Sequence, residues 1–358
     1  MFKVRFLPGR FGDCIWVEYG DASATHRVLI DGGTGGTRHE IRERLRALPA
    51  DERRFERVIV THIDRDHIEG MLRLLEEDQL DFEVGDFWFN GWAQLPDNPD
   101  DEPFGAIQGE RLTARILHHE LSWNEDFGSG AVSIPATGAL PVISLDGGME
   151  LTLLGPSSDA LAALVPDWER ELRAANLDPG FGLAPNDEPV DDDDETFDAS
   201  ELPDIDALAD SGFEDDDSAA NGSSIAVLAE FDGKRALFAA DTPASALLEA
   251  LERLSPAERL ALDLFKISHH GSKNTTSRSL IEKVDCARYV FSTNGSIYKH
   301  PHAEAVSRVI KAGGPDPELV FNYKVDRNSI WDLATLKATH GYRTRYPAAG
   351  EAGVEIEL

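Results

Sequence analysis

A chain of 358 residues, 41% of them apolar, is long enough for one large domain or two smaller ones and has the material for a sizeable core. A net charge of −32 leaves no basic stripe of the kind that tight nucleic-acid binders carry, and no apolar run approaches the roughly 18 residues of a membrane-spanning helix. Cys14 and Cys286 are the only cysteines and form no CxxC pair, so neither a disulfide framework nor a thiolate cluster is indicated, and the amino terminus enters a strand pattern without an apolar leader, so a cytoplasmic protein is expected.

Taken in order, Val4–Leu7 alternates as a strand, Pro8–Asp13 is a turn, and Cys14–Tyr19 and Arg27–Ile30 are further strands. The third strand stops at Asp31-Gly-Gly-Thr-Gly-Gly36. That stretch has neither the GK[ST] ending of a phosphate loop nor GxGxxG spacing, so it is a flexible turn or a place where glycines leave room for a neighbouring site. His39–Leu48 is an amphipathic helix. A β-branched run then empties into Thr61-His-Ile-Asp-Arg-Asp-His-Ile-Glu-Gly70, with a helix expected over Met71–Glu77. His62, Asp64, Asp66 and His67 thus stand at a strand-to-helix turn. Two carboxylates this close repel unless a cation or a proton lies between them, and imidazole with carboxylate suits zinc, manganese or iron.

Asp86–Trp92 is a further strand and its turn, and Arg111–Leu121 is a helix whose adjacent His118 and His119 diverge by roughly 100° and cannot share one metal. Val142–Leu145 and Met149–Leu154 pair as a hairpin. From Pro156 to Ser218 the chain carries 21 Asp and Glu against Arg170 and Arg173, which is −19 of the total charge. Leu161–Leu177 can be helical, but Pro185–Asp217 has too little apolar surface to fold alone and reads as a mobile acidic insertion. Asn221–Phe231 and Lys234–Asp241 are strands joined at Asp232-Gly233, with Ala244–Leu254 a helix after them. Leu262–Ile267 runs into His269 and His270, and Tyr289–Thr293 leads to His300-Pro-His302 and the helix Ala303–Lys311. Three strand ends therefore deliver histidine and two deliver aspartate, which points to one shared metal centre.

The order strand-His-x-Asp-x-Asp-His-x-x-Gly, strand-Asp, strand-His-His-Gly-Ser and His-Pro-His resembles the metallo-β-lactamase fold superfamily. Within it, the chain most resembles the hydrolase domain attached to bacterial DNA-uptake competence channels and the free-standing relatives of that domain. The resemblance spans Gly12-Asp13 and Asp31-Gly-Gly33 through His300-Pro-His302 and leaves Pro156–Ser218 over as an insertion. It implies an α/β fold, a four-layer αββα sandwich, as a single domain over residues 1–346 with the acidic insertion at 156–218 and a C-terminal tail at 347–358.

The resemblance also implies one or two divalent metals at the edge between the sheets. Zinc is the first expectation, and manganese the alternative, because Asp64 stands where a second histidine is usual and carboxylate is a harder ligand. By the same likeness His62 and Asp64 serve one metal, Asp66 and His67 the other, and Asp241 bridges them. Asn221 occupies the place of a further histidine as a weak ligand, and His269 is preferred over His270 for the last motif, a close choice. A metal-activated water would then attack, oriented by Asp66, while His300 or His302 protonates the leaving group or holds a phosphate oxygen. Ser272, Lys273 and Asn274 either touch substrate or form a solvated helix entry. The expected activity is hydrolysis of phosphodiesters, in a small molecule or a nucleic acid. The alternatives are hydrolysis of a small ester, lactone or phosphocholine-type compound, and a regulatory protein that kept the fold. No membrane partner is expected, and a protein partner could use the acidic insertion.

Overall fold

The computed structural model describes residues 1–21, 24–96, 107–175 and 202–358. Strands β1 (Phe2–Phe6), β2 (Ile15–Gly20), β3 (Thr25–Ile30), β4 (Arg54–Ile59) and β5 (Glu83–Trp88) open the chain, followed by β6 (Val142–Ser144) and β7 (Glu150–Gly155). Next come β8 (Ala226–Phe231), β9 (Lys234–Phe238), β10 (Leu260–Leu262), β11 (Leu264–Lys266), β12 (Val284–Cys286) and β13 (Arg288–Phe291). Strands β14 (Glu318–Phe321), β15 (Arg343–Arg345) and β16 (Val354–Glu357) close it. A six-stranded sheet runs β16-β1-β2-β3-β4-β5, and an eight-stranded sheet runs β15-β14-β13-β11-β9-β8-β7-β6. The last strand pairs antiparallel with the first, Val4 opposite Ile356, so the stretch read as a C-terminal tail contributes an edge strand.

Side-chain alternation explains the layering. Val4, Phe6, Ile15, Val17, Val28 and Ile30 share one buried cluster with Leu151, Val227, Leu237 and Phe265 of the second sheet. Trp16 and Leu29, one residue out of step, point the other way into a cluster with Ile41, Leu45, Met71 and Leu112. The latter residues belong to helices α1 (Arg38–Ala47), α2 (Arg65–Leu75) and α3 (Ile107–His118), which cover the first sheet. Helix α4 (Ser158–Ala175) follows β7, and the short α5 (Ile205–Ala209) and α6 (Ala219–Gly222) precede β8. Helices α7 (Ala244–Leu254), α8 (Arg278–Lys283) and α9 (Ala303–Ala312) are the crossovers required by the parallel order β9, β11, β13, β14. The molecule is a four-layer αββα sandwich.

Two local differences from expectation matter for the site. Helix α2 begins at Arg65 rather than beyond Gly70, so Asp66 and His67 lie in its first turn. Gly70 sits inside that helix because a Cβ there would come within 1.9 Å of the Gly32 carbonyl oxygen, a close approach that outweighs glycine's poor helix propensity. The segment around Asn221 is the turn of helix α6, and the strand begins only at Ala226. The central part of the expected mobile insertion, residues 176–201, lies outside the described residues. Residues 202–218 are built into the fold, with Ile205 and Ala209 of α5 buried and α5 packed against α9. Among the described residues, no helix is long and apolar enough to cross a membrane.

Candidate metal centre

Parallel strands end together, and ligand-bearing loops gather where their carboxyl ends meet. Here β3 ends just before Asp31, β4 two residues before Thr61-His62 with Ile59 its last residue, β9 shortly before Asp241, β11 before His269-His270, and β13 before the loop that holds His300 and His302. Asp241 is the hub. Its Oδ2 lies 3.3 Å from His67 Nε2, 3.7 Å from both His269 Nε2 and His270 Nε2, and 3.9 Å from His62 Nε2.

Around that oxygen the predicted residues fall into two groups. Asp66 Oδ2 lies 3.3 Å from His270 Nε2 and 3.9 Å from His67 Nε2, and these side chains are buried. Asp64 Oδ2 lies 3.5 Å from His62 Nε2, with the Asp64 side chain 43% exposed. His269 is half-buried, in the left-handed region at φ 46°, and stands between Asp241 on Nε2 and Asp216 and Asn221 on Nδ1. Asn221 donates its Nδ2 to Asp216 Oδ2 at 2.8 Å, and its Oδ1 is buried without a hydrogen-bond partner. The two adjacent histidines thus stand at different places, His270 beside Asp66 and His67, and His269 beside Asp216 and Asn221.

The geometry suits a divalent metal. Tetrahedral zinc at about 2.0–2.1 Å from its ligands sets donor atoms roughly 3.3 Å apart. The spacings of 3.3–3.9 Å around Asp241 lie on that scale. His62 Nε2 and Asp241 Oδ1 are buried without hydrogen-bond partners, which is costly unless something else satisfies them. Asp13, His67, Asp241 and His270 also present donor atoms that all lie within 4.8 Å of one another.

Second contacts fix the rings. His67 Nδ1 bonds Asp31 Oδ2 at 2.7 Å, His270 Nδ1 donates to the Ser292 carbonyl at 2.8 Å, and His62 Nδ1 lies 3.0 Å from Thr61 Oγ1. Each leaves Nε2 facing Asp241, with His67 Nε2 and His270 Nε2 3.3 Å apart, the arrangement in which an outer partner would select the tautomer of a ligating imidazole. Asp31 also accepts from the Thr61 backbone N–H at 2.8 Å and from its hydroxyl at 2.9 Å, so one carboxylate braces both ends of the connection from β4 to α2. Gly12 is glycine because a Cβ there would meet the Asp66 carbonyl at 1.7 Å. The same turn brings Asp13 onto the buried Lys266 ammonium, which donates in addition to the Ala240 carbonyl at 3.2 Å.

Charge follows from this packing. Burial alone would lower the His67 and His270 pKa values. The carboxylates Asp241, Asp31 and Asp66 instead hold His67 well above its usual value, while Asp13 and Asp241 raise His270 to about 9. Burial raises Asp241, and His67, His269 and His270 more than reverse that, holding it well below the usual carboxylate range. A metal ligates only neutral imidazole, so a metal held by these rings at pH 7 would displace their protons. Calorimetric titration of metal into the apo-protein, run in buffers of different ionisation enthalpy, is expected to show at least one proton released per chain. The apparent affinity is expected to weaken as the pH falls, whereas identical heats in every buffer would contradict the assignment.

The remaining predicted residues lie beside the centre. His300 is buried, with ring centroids 4.9 Å from His269 and 6.2 Å from His270, and its Nδ1 has no partner. Burial and then the neighbouring histidines press its pKa down to about 2, so it is neutral. His302 caps the start of α9, accepts the Lys273 backbone N–H on Nδ1 at 3.1 Å and lies 4.7 Å from the His300 ring. Ser272 Oγ accepts from the Asn274 backbone, and Lys273 pairs with Glu304 at 3.6 Å. These groups thus engage the protein itself. His118 and His119 lie apart, His119 against the Leu75 carbonyl.

Four participants escaped the reading of the sequence: Asp13, Asp31, Lys266 and Asp216. A lone lysine within Leu264-Phe-Lys-Ile267 was a usable signal, because a charge in a buried strand requires a counter-charge. Residues 7–133 match the family model described as the metallo-beta-lactamase superfamily, a stretch that holds Asp13, Asp31 and the His62–His67 cluster and stops before Asp241. No curated protein matches the chain.

Proposed function

We propose that this protein is a metal-dependent hydrolase of phosphodiesters. The observation that carries the reading is the position of Asp241 Oδ2, within 3.9 Å of four imidazole Nε2 atoms. A divalent metal bound there supplies Lewis acidity and an acidified water. His67, His270 and Asp66 would hold it on the buried side, His62 and Asp64 on the outer side, with Asp241 between. Asp66, kept ionised by His67 and His270 against its burial, orients the attacking water. His300, kept neutral by burial and the neighbouring histidines, would act as a neutral hydrogen-bonding group toward a phosphoryl oxygen rather than as a charged acid. Tyr298, half exposed and 6.1 Å from the His300 ring, gives an aromatic face on which a base can stack.

A second reading, a small ester, lactone or phosphocholine-type substrate, draws on a cavity of about 390 Å³ beside Asp64, lined also by Asp167, Gln108, Leu164 and Trp168. Its size favours a small compound over a polymer, with Arg65 standing beside the two carboxylates in the lining. A screen separates the two. Wild type and Asp66→Ala, loaded with zinc or manganese, are assayed on bis-p-nitrophenyl phosphate, single- and double-stranded DNA and RNA, and a p-nitrophenyl ester. Phosphodiester turnover that falls at least about 100-fold in the variant is expected, as general-base contributions run. Turnover of the carboxyl ester alone would overturn the phosphodiester reading, and undiminished activity of Asp66→Ala would overturn the site.

A further inference from the structure

The last part of the acidic stretch reaches the metal centre. Asp216 Oδ2 lies 3.2 Å from His269 Nδ1 and accepts from Asn221 Nδ2 at 2.8 Å. The Asp216 backbone N–H donates to the Asn274 carbonyl at 3.0 Å, and its Oδ1 accepts from the Ser218 N–H at 2.9 Å. Its neighbour Asp215 accepts from the backbone N–H groups of Ala244 and Ser245 at 3.0 and 3.1 Å, at the start of α7 just beyond Asp241. The segment therefore clips both loops that carry Asp241 and His269.

A buried arginine anchors it. Arg308 of α9 donates to the carbonyl oxygens of Ser211 and Gly212 at 3.4 and 3.2 Å, and on its other arm to those of Lys273 and Thr276 at 2.6 and 3.0 Å. One guanidinium thus ties the acidic segment to the loop after His270, with Phe213 5.4 Å over it. A merely solubilising acidic run would have no such attachment.

We propose that residues 202–218 form a strap that builds the outer metal position, with Asp216 as its positioning residue. Asp216 holds His269 by Nδ1 so that Nε2 faces Asp241, and His269 then supplies the imidazole that Asn221, tied to the same carboxylate, does not. The outer position is completed by His62, Asp64, Asp241 and His269, and the buried one by Asp66, His67, His270 and Asp241. This rests on the metal-centre reading above and adds which histidine serves which position and what holds it.

The test is metal content and affinity, measured by elemental analysis and chelator competition on full-length wild type, Asp216→Ala, Asp216→Asn and His269→Ala loaded with zinc. Wild type is expected to hold two equivalents. Asp216→Ala and His269→Ala should keep the tighter one; the weaker one should loosen by about 10–100-fold in Asp216→Ala, the usual effect of losing an outer partner of a ligand, and by at least as much in His269→Ala, which loses the ligand itself. Asp216→Asn, which keeps an acceptor oxygen, should fall between, with melting temperatures of the metal-free proteins alike. Two equivalents held with unchanged affinity by folded Asp216→Ala would overturn the proposal. If that variant does not fold, unchanged affinity in both Asp216→Asn and His269→Ala overturns it instead. A wild type that holds a single equivalent refutes the two-position arrangement and leaves the hydrolase reading standing, whereas no metal at all refutes both.

Discussion

Asp241→Ala, purified like the wild type, is expected to retain no tightly held metal and to lose hydrolytic turnover by far more than the about 10–100-fold that loss of an outer partner costs. The reason is convergence. Asp241 Oδ2 is the single atom near which His62, His67, His269 and His270 all place Nε2. Removing it would take a ligand from both proposed positions at once, a loss that outweighs the easier deprotonation of His67 and His270 once its charge is gone. Asp241→Asn keeps the shape and one oxygen but not the charge, and should recover folding without recovering metal. Elemental analysis beside phosphodiester turnover reads the result. An Asp241→Ala protein that binds metal like the wild type would show that the centre is organised around some other group.

Lys266→Met is expected to destabilise the metal-free protein by about 3–5 kcal/mol, the cost of leaving one partner of a buried ion pair alone. Lys266 and Asp13 are both essentially inaccessible, and the ammonium is the counter-charge nearest that carboxylate. The loss should appear as a fall in Tm of about 4–7 °C for a chain of this size. Adding Asp13→Asn should restore most of it, because an unpaired buried charge, rather than the missing attraction, dominates the penalty. A Lys266→Met protein as stable as the wild type would mean that Asp13 is not held ionised by this pair.

Several parts of this arrangement were legible because their signals are local. Four chemistry-bearing side chains within six residues at His62–His67 cannot be a chance surface, and histidine after a short apolar run recurs at His269-His270. The layers followed from alternation, as Val17 and Trp16 point to opposite faces of one sheet. The start of α2 was misjudged because Gly70 reads as a boundary. What permits a glycine there is Gly32, whose carbonyl approaches too closely for any side chain, a long-range contact with no local trace. The pairing of β16 with β1 joins the two ends of the chain and is invisible for the same reason.

The missed site residues failed for different causes. Asp13 and Asp31 sit in glycine-bearing turns where aspartate is common for conformational reasons, and only tertiary packing turns them onto Lys266 and His67. Asp216 is one of 21 acidic residues in its stretch, so composition hid it. Its role comes from the burial of Arg308 and the reach of Asn221 and His269, neither of which a charge count contains. An acidic run that looks like a solvated insertion can therefore carry an element of the site at its end.

The most direct measurement of the central claim is the metal content of the wild-type protein by elemental analysis after exhaustive dialysis against metal-free buffer and reloading with zinc or manganese. Two equivalents per chain, lost together in Asp241→Ala, are expected; wild-type protein that is folded and carries no metal above background under either loading would contradict it.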